Sequence, residues 1–297
     1  MHSNKITEKQ NPNSLDIDQK SIIEILGIIN SEDAKIHIAV NNAIPEISQF
    51  IQDVVYCFNN GGRLFYIGAG TSGRLGVLDA SECPPTYRTK PDMIQGIIAG
   101  GLDALVHSVE GAEDDTYAGE KIVKKYKIGK NDIILGISAA GTAPIVISAL
   151  ETAKINRAKT GLLICNNIKF PKYVDHLIKI LVGPEVITGS TRMKAGTATK
   201  MVLNMITTTA MIRLNKTYGN LMVDLNSSNK KLWDRGTRII MHLTDLKYDE
   251  ALNLLKSADG EVKIALVMER LKISIEKAKI ILNENNQSLR KIFFNLI

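Results

Sequence analysis

A glycine-rich turn that is followed by hydroxyl side chains is the first stretch of this chain that could do chemistry. The turn, residues 68–73, reads Gly-Ala-Gly-Thr-Ser-Gly; it follows an apolar run and precedes a run that predicts a helix from about Ser72. Glycines such as Gly70 let the backbone approach a ligand closely, and the first amides of a helix have no intrahelical acceptor, so the turn suits a phosphate. Thr71 and Ser72 could add hydroxyl donors, or Ser72 could only cap the helix.

Two well-known phosphate motifs do not describe this turn. The Walker pattern is absent because no Gly-Lys-Ser/Thr closes the loop, and the dinucleotide fingerprint fits only loosely, with no ribose-binding acid about 20 residues further on. On its spacing alone, the turn can be a phosphate cradle or a tight connection between a strand and a helix.

Two further loops place hydroxyl groups beside the predicted start of a helix. They are residues 138–142 and 184–191, and each follows an apolar run that predicts a strand. Open α/β sheets bind ligands beyond the carboxyl ends of their strands, so the three loops together predict one anion site. The candidate ligand-binding residues of the second and third loops are Ser138, Gly141, Thr142, Ser190 and Thr191.

Three glutamates adjoin these loops. Glu82 is predicted to follow the helix of the first turn, and Glu113 to lie in an acidic turn after the second strand. An isolated glutamate is usually a solvated surface residue, so the residues alone do not single out either one as catalytic. Glu185, in the third loop, could bind a sugar hydroxyl.

The elements that must position these loops alternate between strand and helix, which is typical of a parallel sheet with helices on both faces. The predicted strands are residues 64–67, 95–99, 132–138, 162–166 and 177–181, and the predicted helices between and after them include residues 116–126, 144–157 and 194–214. The last of these helices is rich in Thr and Ala, which favours close packing against a partner subunit or against the sheet.

The two ends of the chain have a different character. Residues 1–13 are predicted to be extended, residues 17–29 to form an amphipathic helix, and residues 31–33 to cap a helical stretch that runs to residue 58 and is divided by Pro45. After residues 226–228, short charged helices are predicted at 230–242, 248–256, 262–270 and 275–285. We therefore expect an N-terminal helical segment (1–55), a central sheet domain (56–240) and a small C-terminal helical domain (241–297).

Composition narrows the class of protein. The 297 residues are 44% hydrophobic and 23% charged with a net charge of +6, values that are ordinary for a globular protein and that do not point to nucleic acid. No run is long enough for a membrane span, and the polar N-terminus lacks a secretory core. Cys57, Cys83 and Cys165 are expected to be reduced thiols of a cytoplasmic protein. The histidine spacing indicates no metal site, and we expect no cofactor.

Four separated stretches resemble the N-acetylmuramic acid 6-phosphate etherases, which have the sugar isomerase (SIS) fold. They are residues 7–18, 61–87, 109–115 and 183–198, including Ser81-Glu82-Cys83-Pro84-Pro85-Thr86-Tyr87 and Gly189-Ser190-Thr191-Arg192-Met193-Lys194. The resemblance implies a doubly wound five-stranded parallel sheet, a small three-helix C-terminal domain and a homodimer.

The resemblance also implies a reaction and roles for residues. D-lactate would leave C3 of N-acetylmuramic acid 6-phosphate and water would replace it, giving N-acetylglucosamine 6-phosphate during cell-wall recycling. Phosphate contacts would fall on Gly70, Thr71 and Ser72, and also on Ser190 and Thr191. Glu82 would donate a proton to the departing lactate and Glu113 would act as the base, with burial helping a carboxyl to hold a proton. Arg192 and Lys194 could face the phosphate or the lactyl carboxylate, or else solvent or a partner subunit.

One loop departs from the family pattern. The family has Ala-Ser-Gly-Arg-Thr-Pro where this chain has Ala-Ala-Gly-Thr-Ala-Pro at residues 139–144, so the expected serine and arginine are missing. Ser138, two residues before the missing serine, resembles the first serine of the isomerase domain of glucosamine-6-phosphate synthase, and Thr142 stands where the arginine would be.

Two other functions share the predicted phosphate cradle. A non-catalytic phosphosugar sensor, of which the glucokinase regulatory protein is an example with the same fold, would normally add a DNA-binding domain or lose the acids. This chain has no evident helix-turn-helix at its N-terminus and keeps Glu82 and Glu113. A sugar-phosphate isomerase would lack the signature of residues 81–87. The sequence therefore favours the etherase.

Overall fold

A sheet of five parallel strands forms the centre of the computed structural model, which describes residues 5–225 and 229–294. The strands are β1 (Leu64–Gly68), β2 (Ile94–Ile98), β3 (Ile133–Ile137), β4 (Lys159–Ile164) and β5 (His176–Lys179), hydrogen-bonded in the order β2-β1-β3-β4-β5. This confirms the predicted doubly wound five-stranded sheet. The strand order reverses between β1 and β3, where sheets of this kind bind ligands.

Helices cover both faces of the sheet. They are α3 (Ile44–Asn59), α5 (Thr116–Lys125) and α6 (Pro144–Ile155). Leu162 of β4 packs in one apolar cluster with residues of α5 and α6. Its neighbour Gly161 faces the other way, since a Cβ built on it would lie 2.6 Å from the ring of Phe50 in α3. Because both faces are buried, the strands are continuous apolar runs instead of alternating ones.

The N-terminal helices begin and end at other residues than predicted. Two 3₁₀ turns, Ile6–Glu8 and Pro12–Ser14, replace the extended segment; residues 1–4 lie outside the described residues. The predicted helix at 17–29 is wrong in its start, because a 3₁₀ turn (Ile17–Gln19) precedes α1 (Ile22–Asp33), where Glu24 accepts a hydrogen bond from the backbone N–H of Ser21. Residues 31–33 are the last three residues of α1, so the prediction that they cap the next helix is wrong. After α2 (Ile36–Asn42), Pro45 lies in the first turn of α3, so the predicted interruption is confirmed.

The helix of the glycine-rich turn is longer than the sequence suggested. This helix, α4, runs from Gly70 to Tyr87 and includes Glu82, which was predicted to follow it. Pro84 and Pro85 lie in its last turn, where they remove two backbone donors, and the N–H of Arg88 closes the turn on the carbonyl of Pro84. The helix of small residues is α7 (Lys194–Arg213), close to its predicted bounds.

The C-terminal part is helical as expected. It contains α8 (Lys230–Leu243), α9 (Tyr248–Ser257), α10 (Val262–Leu271), α11 (Ile275–Glu284) and α12 (Leu289–Phe294). A small hairpin of β6 (Thr217–Tyr218) and β7 (Leu221–Met222) precedes them. We did not predict the hairpin or α12, because two-residue strands and a six-residue helix carry too little periodicity to be recognised. The predicted linker at 226–228 lies outside the described residues.

The chain divides into two compact units. The first comprises Met1–Ser81 and Pro91–Thr207, and the second comprises Glu82–Lys90 and Thr208–Ile297. The predicted division at residues 55 and 240 follows other boundaries and stays a prediction. Within the described part, no helix combines the length and the apolar character that crossing a membrane requires.

Candidate active site

A cavity of about 190 Å³ lies beyond the carboxyl ends of β1 and β3, where the strand order reverses. Its walls come from the loop after β1 (residues 69–72), the loop after β3 (137–140 and 143), Glu113, and the start of α7 with the residue before it (191, 195, 196 and 199). All of these belong to the first unit. The structure thus brings the three predicted loops to one cavity.

Three helices begin at this cavity. Gly70 is the first residue of α4, Ala143 is the N-cap of α6, and Ala195 follows the first residue of α7; all three residues line the cavity. Helix N-termini carry partial positive charge, which favours a bound anion. At α6 and α7 some of the first N–H groups already have acceptors: that of Ile145 bonds to the carbonyl of Glu113, and those of Lys194 and Ala195 bond to Glu185. Hydroxyl groups of Thr71, Ser72, Ser138 and Thr191 also lie in the walls, whereas the described lining includes no lysine or arginine. The cavity is therefore suited to an anion such as a phosphate.

Glycines allow the loop after β1 to turn so tightly. Gly70 has a φ of +52°, in the left-handed region that side chains disfavour. A Cβ on Gly73 would lie only 2.5 Å from the carbonyl oxygen of Gly68, so the first turn of α4 can approach the end of β1 only without a side chain there. Gly196 of α7 similarly lies close to Thr71, with its Cβ position 3.3 Å from Cγ2.

Of the three residues predicted to bind ligand in the loop after β3, Ser138 is the one that lines the cavity. Its Oγ accepts a hydrogen bond from the N–H of Ala143 at 3.4 Å, and its carbonyl accepts one from the N–H of Gly141 at 2.9 Å. Gly141 and Thr142 do not line the cavity. The Thr142 hydroxyl instead accepts a hydrogen bond from Lys5 Nζ at 2.8 Å, a contact the sequence analysis missed.

The third loop contributes Thr191 to the cavity, but not Ser190 or Glu185. Glu185 is fully buried, and its two carboxylate oxygens accept hydrogen bonds from the N–H groups of Lys194 and Ala195, both at 2.9 Å. Burial raises the pKa of Glu185, and these two amide hydrogen bonds act in the opposite direction. Glu185 therefore stabilises the start of α7, and its contact with a sugar hydroxyl, which the sequence left open, stays a prediction.

Lys194 does not face the cavity either. Its Nζ lies 2.6 Å from Oε2 of Glu32, and the two side chains are only 1% and 4% exposed. This buried ion pair joins α7 to α1 within the first unit. Arg192 is exposed. Neither of the two cations considered from the sequence thus lines the cavity, and the buried pair was not foreseeable because its members lie 162 residues apart.

A second cavity, of about 340 Å³, adjoins the first. The two cavities share Ala69, Gly70 and Glu113. Glu113 is exposed, and its backbone carbonyl accepts a hydrogen bond from the N–H of Ile145 in the first turn of α6 at 3.1 Å. Glu113 thus lines both cavities, and its backbone is tied to the start of α6.

Glu82 lies in the second unit, within α4, and is exposed. Both candidate acids are therefore exposed, whereas the expected role calls for a carboxyl group that burial helps to hold a proton. The structure brings Gly70, Thr71, Ser72, Glu113, Ser138 and Thr191 to one cavity. It leaves Glu82, Gly141, Thr142, Glu185 and Ser190 outside its lining.

The chain is similar over nearly its whole length to bacterial enzymes of one kind. It is 46% identical over 294 residues to the N-acetylmuramic acid 6-phosphate etherase of Actinobacillus pleuropneumoniae serotype 5b, covering 99% of this chain and 97% of that protein. It is 50% identical over 278 residues to the etherase of the same name from Clostridium acetobutylicum, covering 93% and 92%.

Two further comparisons cover part of the chain. Residues 46–154 match the family described as the glucokinase regulatory protein N-terminal SIS domain. Among solved structures, a phosphoheptose isomerase from Francisella tularensis is similar, with a TM-score of 0.49, 18% identity, and coverage of 63% of this chain and 98% of that one.

Proposed function

The chain belongs to the N-acetylmuramic acid 6-phosphate etherases, and from that premise we propose how its residues divide the work. The enzyme cleaves the D-lactyl ether of N-acetylmuramic acid 6-phosphate, a step of cell-wall amino-sugar recycling. Lactate is eliminated from C3 and water is added in its place, which gives N-acetylglucosamine 6-phosphate. The reaction needs a group that holds the phosphate, a base for the C2 proton and an acid for the leaving oxygen.

We propose that the 190 Å³ cavity holds the 6-phosphate. The first amides of α4 and the hydroxyls of Thr71, Ser72, Ser138 and Thr191 would supply its hydrogen bonds, and the partial positive charge at the N-termini of α6 and α7 would add attraction. Gly70 would let the backbone approach. Four residues that we first assigned to ligand binding would instead hold these loops and the start of α7 in place without contacting the phosphate. They are Gly141, Thr142, Glu185 and Ser190.

Glu113 is proposed as the base and Glu82 as the acid. A carboxylate at Glu113 would remove the C2 proton, which ring opening to an aldehyde makes acidic, and Glu82 would protonate the departing lactate oxygen. One of the two glutamates could also deliver water in the second half. The single observation that carries this proposal is the position of Glu113 at the junction of the two cavities.

The test is lactate release from N-acetylmuramic acid 6-phosphate by the purified protein, with EDTA present. Glu113→Gln and Glu82→Gln are each expected to lower kcat by about 100- to 10,000-fold, the usual contribution of a general acid or base. Glu120→Gln, which alters an acid on α5, serves as the matched control and is expected to keep its activity. Near-normal turnover by either variant of the proposed pair would remove that glutamate from the mechanism.

The regulatory alternative has a distinct outcome in the same experiment. The match of residues 46–154 to a regulatory-protein domain is the observation that favours it. A sensor would bind the sugar phosphate, seen as a rise in melting temperature, but the wild type would release no lactate.

The location, the oligomeric state and the partners of the enzyme complete the proposed function. We infer that it works in the cytoplasm as a homodimer, without a cofactor, a nucleic acid partner or a membrane. The small residues of α7 support the dimer. Sedimentation equilibrium should then give a mass near twice the 32.6 kDa of one chain, and a single-chain mass at enzyme-assay concentrations would contradict it.

A further inference from the structure

Arg74 holds a fixed position in the wall of the 340 Å³ cavity. It lies on α4, just after the glycine-rich turn, and its Nε donates a hydrogen bond to the carbonyl of Leu105 at 3.1 Å. Its Nη2 donates another to the carbonyl of His107 at 3.2 Å. A guanidinium carries five N–H groups, so these two bonds orient it and leave donors for a ligand. Within residues 5–225 and 229–294, no carboxylate forms an ion pair with Arg74.

Acidic side chains surround this cavity, so an anionic ligand would require a positively charged group in its wall. Glu110, Glu113 and Asp114 also line it, and they would repel an anion. The remaining basic side chain in the wall is His107, while Lys194 is buried against Glu32 elsewhere in the first unit. An anionic group that enters this cavity therefore depends on the positive charge of Arg74. Arg74 lines the 340 Å³ cavity and not the 190 Å³ cavity.

The substrate carries two anions at opposite ends of one sugar, the 6-phosphate and the carboxylate of the lactyl ether on C3. If the phosphate occupies the small cavity, as the proposed function requires, the sugar extends past Glu113 into the larger one. We propose that Arg74 binds the lactyl carboxylate there and makes the enzyme select lactyl ethers over sugar phosphates that lack this group. A guanidinium suits the role because its planar donors match a carboxylate in pairs.

The experiment compares two substrates that differ only at the lactyl carboxyl group: N-acetylmuramic acid 6-phosphate and its lactyl carboxamide, which is uncharged there and has an NH₂ donor in place of one oxygen. The wild type is expected to show a higher kcat/KM for the acid. Arg74→Gln is expected to lower kcat/KM for the acid by about 10- to 100-fold, the worth of a hydrogen bond to a charged group, and to change the carboxamide much less. Arg74→Lys keeps the charge and should retain part of the preference for the acid.

Binding of ligands without the lactyl group supplies a second readout. Inhibition by N-acetylglucosamine 6-phosphate and by inorganic phosphate is expected to be similar in the wild type and in Arg74→Gln. Arg157→Gln, which removes the same charge from an exposed loop after α6, is the matched control and should leave the preference for the acid unchanged.

Arg74 also stabilises the segment around residues 105–107 through its two hydrogen bonds. A purely structural role of Arg74 must therefore affect the two substrates differently from a role in binding the carboxylate. In that case Arg74→Gln would lower kcat/KM for the acid and the carboxamide by the same factor, and this outcome overturns the inference while leaving the proposed function intact. Absence of lactate release by the wild type would instead overturn the proposed function, and with it this inference.

Discussion

Glu32 and Lys194 form a buried ion pair behind the proposed phosphate site. Burial disfavours the charged carboxylate of Glu32, but hydrogen bonds from Lys194, Lys35, Asn13 and Asn11 outweigh it and lower its pKa from 4.5 to about 2. Lys194 is also the first residue of α7, whose next two residues line the 190 Å³ cavity. The pair therefore connects the stability of the fold to the position of the site.

Removing one member of this pair should be costly. Lys194→Met leaves the Glu32 carboxylate buried without its closest cation, and we expect the free energy of unfolding at neutral pH to fall by about 3–5 kcal/mol. Lys35→Met removes the other, half-exposed cation of the same carboxylate and should cost about 1 kcal/mol or less. The double variant Glu32→Gln/Lys194→Met should regain part of the loss. Urea unfolding measures all three, and equal losses for the two lysines would contradict the interpretation.

The lowered pKa of Glu32 has a defined effect on stability. Because its pKa is lower in the folded chain than the ordinary 4.5, its contribution is complete above about pH 4.5 and is lost as the pH falls towards about 2. In Glu32→Gln this part of the acid dependence should be missing from urea unfolding measured across that range. An unchanged slope would show that the carboxylate is not held in its charged form.

At the scale of elements, the N-terminal segment holds the loops of the site. Asn166, just beyond β4 and only 1% exposed, accepts hydrogen bonds from the N–H groups of Ile6 and Thr7 and donates to the Thr7 hydroxyl and the carbonyl of Ala139. The carbonyl of Thr7 in turn accepts from the N–H of Gly189 in the third loop. Ala139 lines the small cavity, so one amide side chain joins the N-terminal segment to the site.

We therefore expect Asn166→Ala to release this segment. Each buried group left unpaired should cost about 1–3 kcal/mol, and the amides of Ile6 and Thr7 should exchange with solvent much faster. The matched control is Asn167→Ala, whose side chain accepts only a 3.4 Å hydrogen bond from Lys179. Hydrogen exchange followed by mass spectrometry distinguishes the two variants, and equal protection of residues 5–8 in both would rule out the joining role.

At the scale of the whole molecule, each compact unit has a core of its own. Leu135 of β3 is fully buried in the first unit, and Leu255 of α9 is fully buried in the second, in a cluster with residues of α8, α10, α11 and α12. A unit with its own core can lose its protection against exchange by itself.

Leu135→Ala and Leu255→Ala should each lower the free energy of unfolding by about 2–5 kcal/mol, the usual cost of a truncated core leucine. We expect Leu255→Ala to speed hydrogen exchange in α9, α10 and α11 more than in the strands, and Leu135→Ala to do the reverse. If both variants speed exchange equally throughout the described residues, the chain unfolds as one cooperative whole and the two cores are not separate.

The sequence by itself was sufficient for the sheet and for the loops of the site. Apolar runs such as those of β1 and β3 predict buried parallel strands because both of their faces must be covered. The glycine-rich turn at residues 68–73 suits an anion site because glycine lets the backbone turn and approach a ligand closely, although its spacing alone also fits a plain connection. The motif residues Thr71, Ser72 and Ser138 do line one cavity. The prediction of the sheet is confirmed because it depends on local spacing, whereas the anion site stays a prediction.

Only the tertiary structure decided which charged groups face the cavities. Glu185 and Lys194 lie in the motif of the third loop, yet one caps α7 and the other pairs with Glu32, 162 residues away in sequence. Arg74 received no role from the sequence, and its place depends on carbonyl groups of residues 105 and 107 that fold against it. Such roles depend on contacts between distant segments, and a side chain's type and spacing do not determine which partner satisfies it once it is buried.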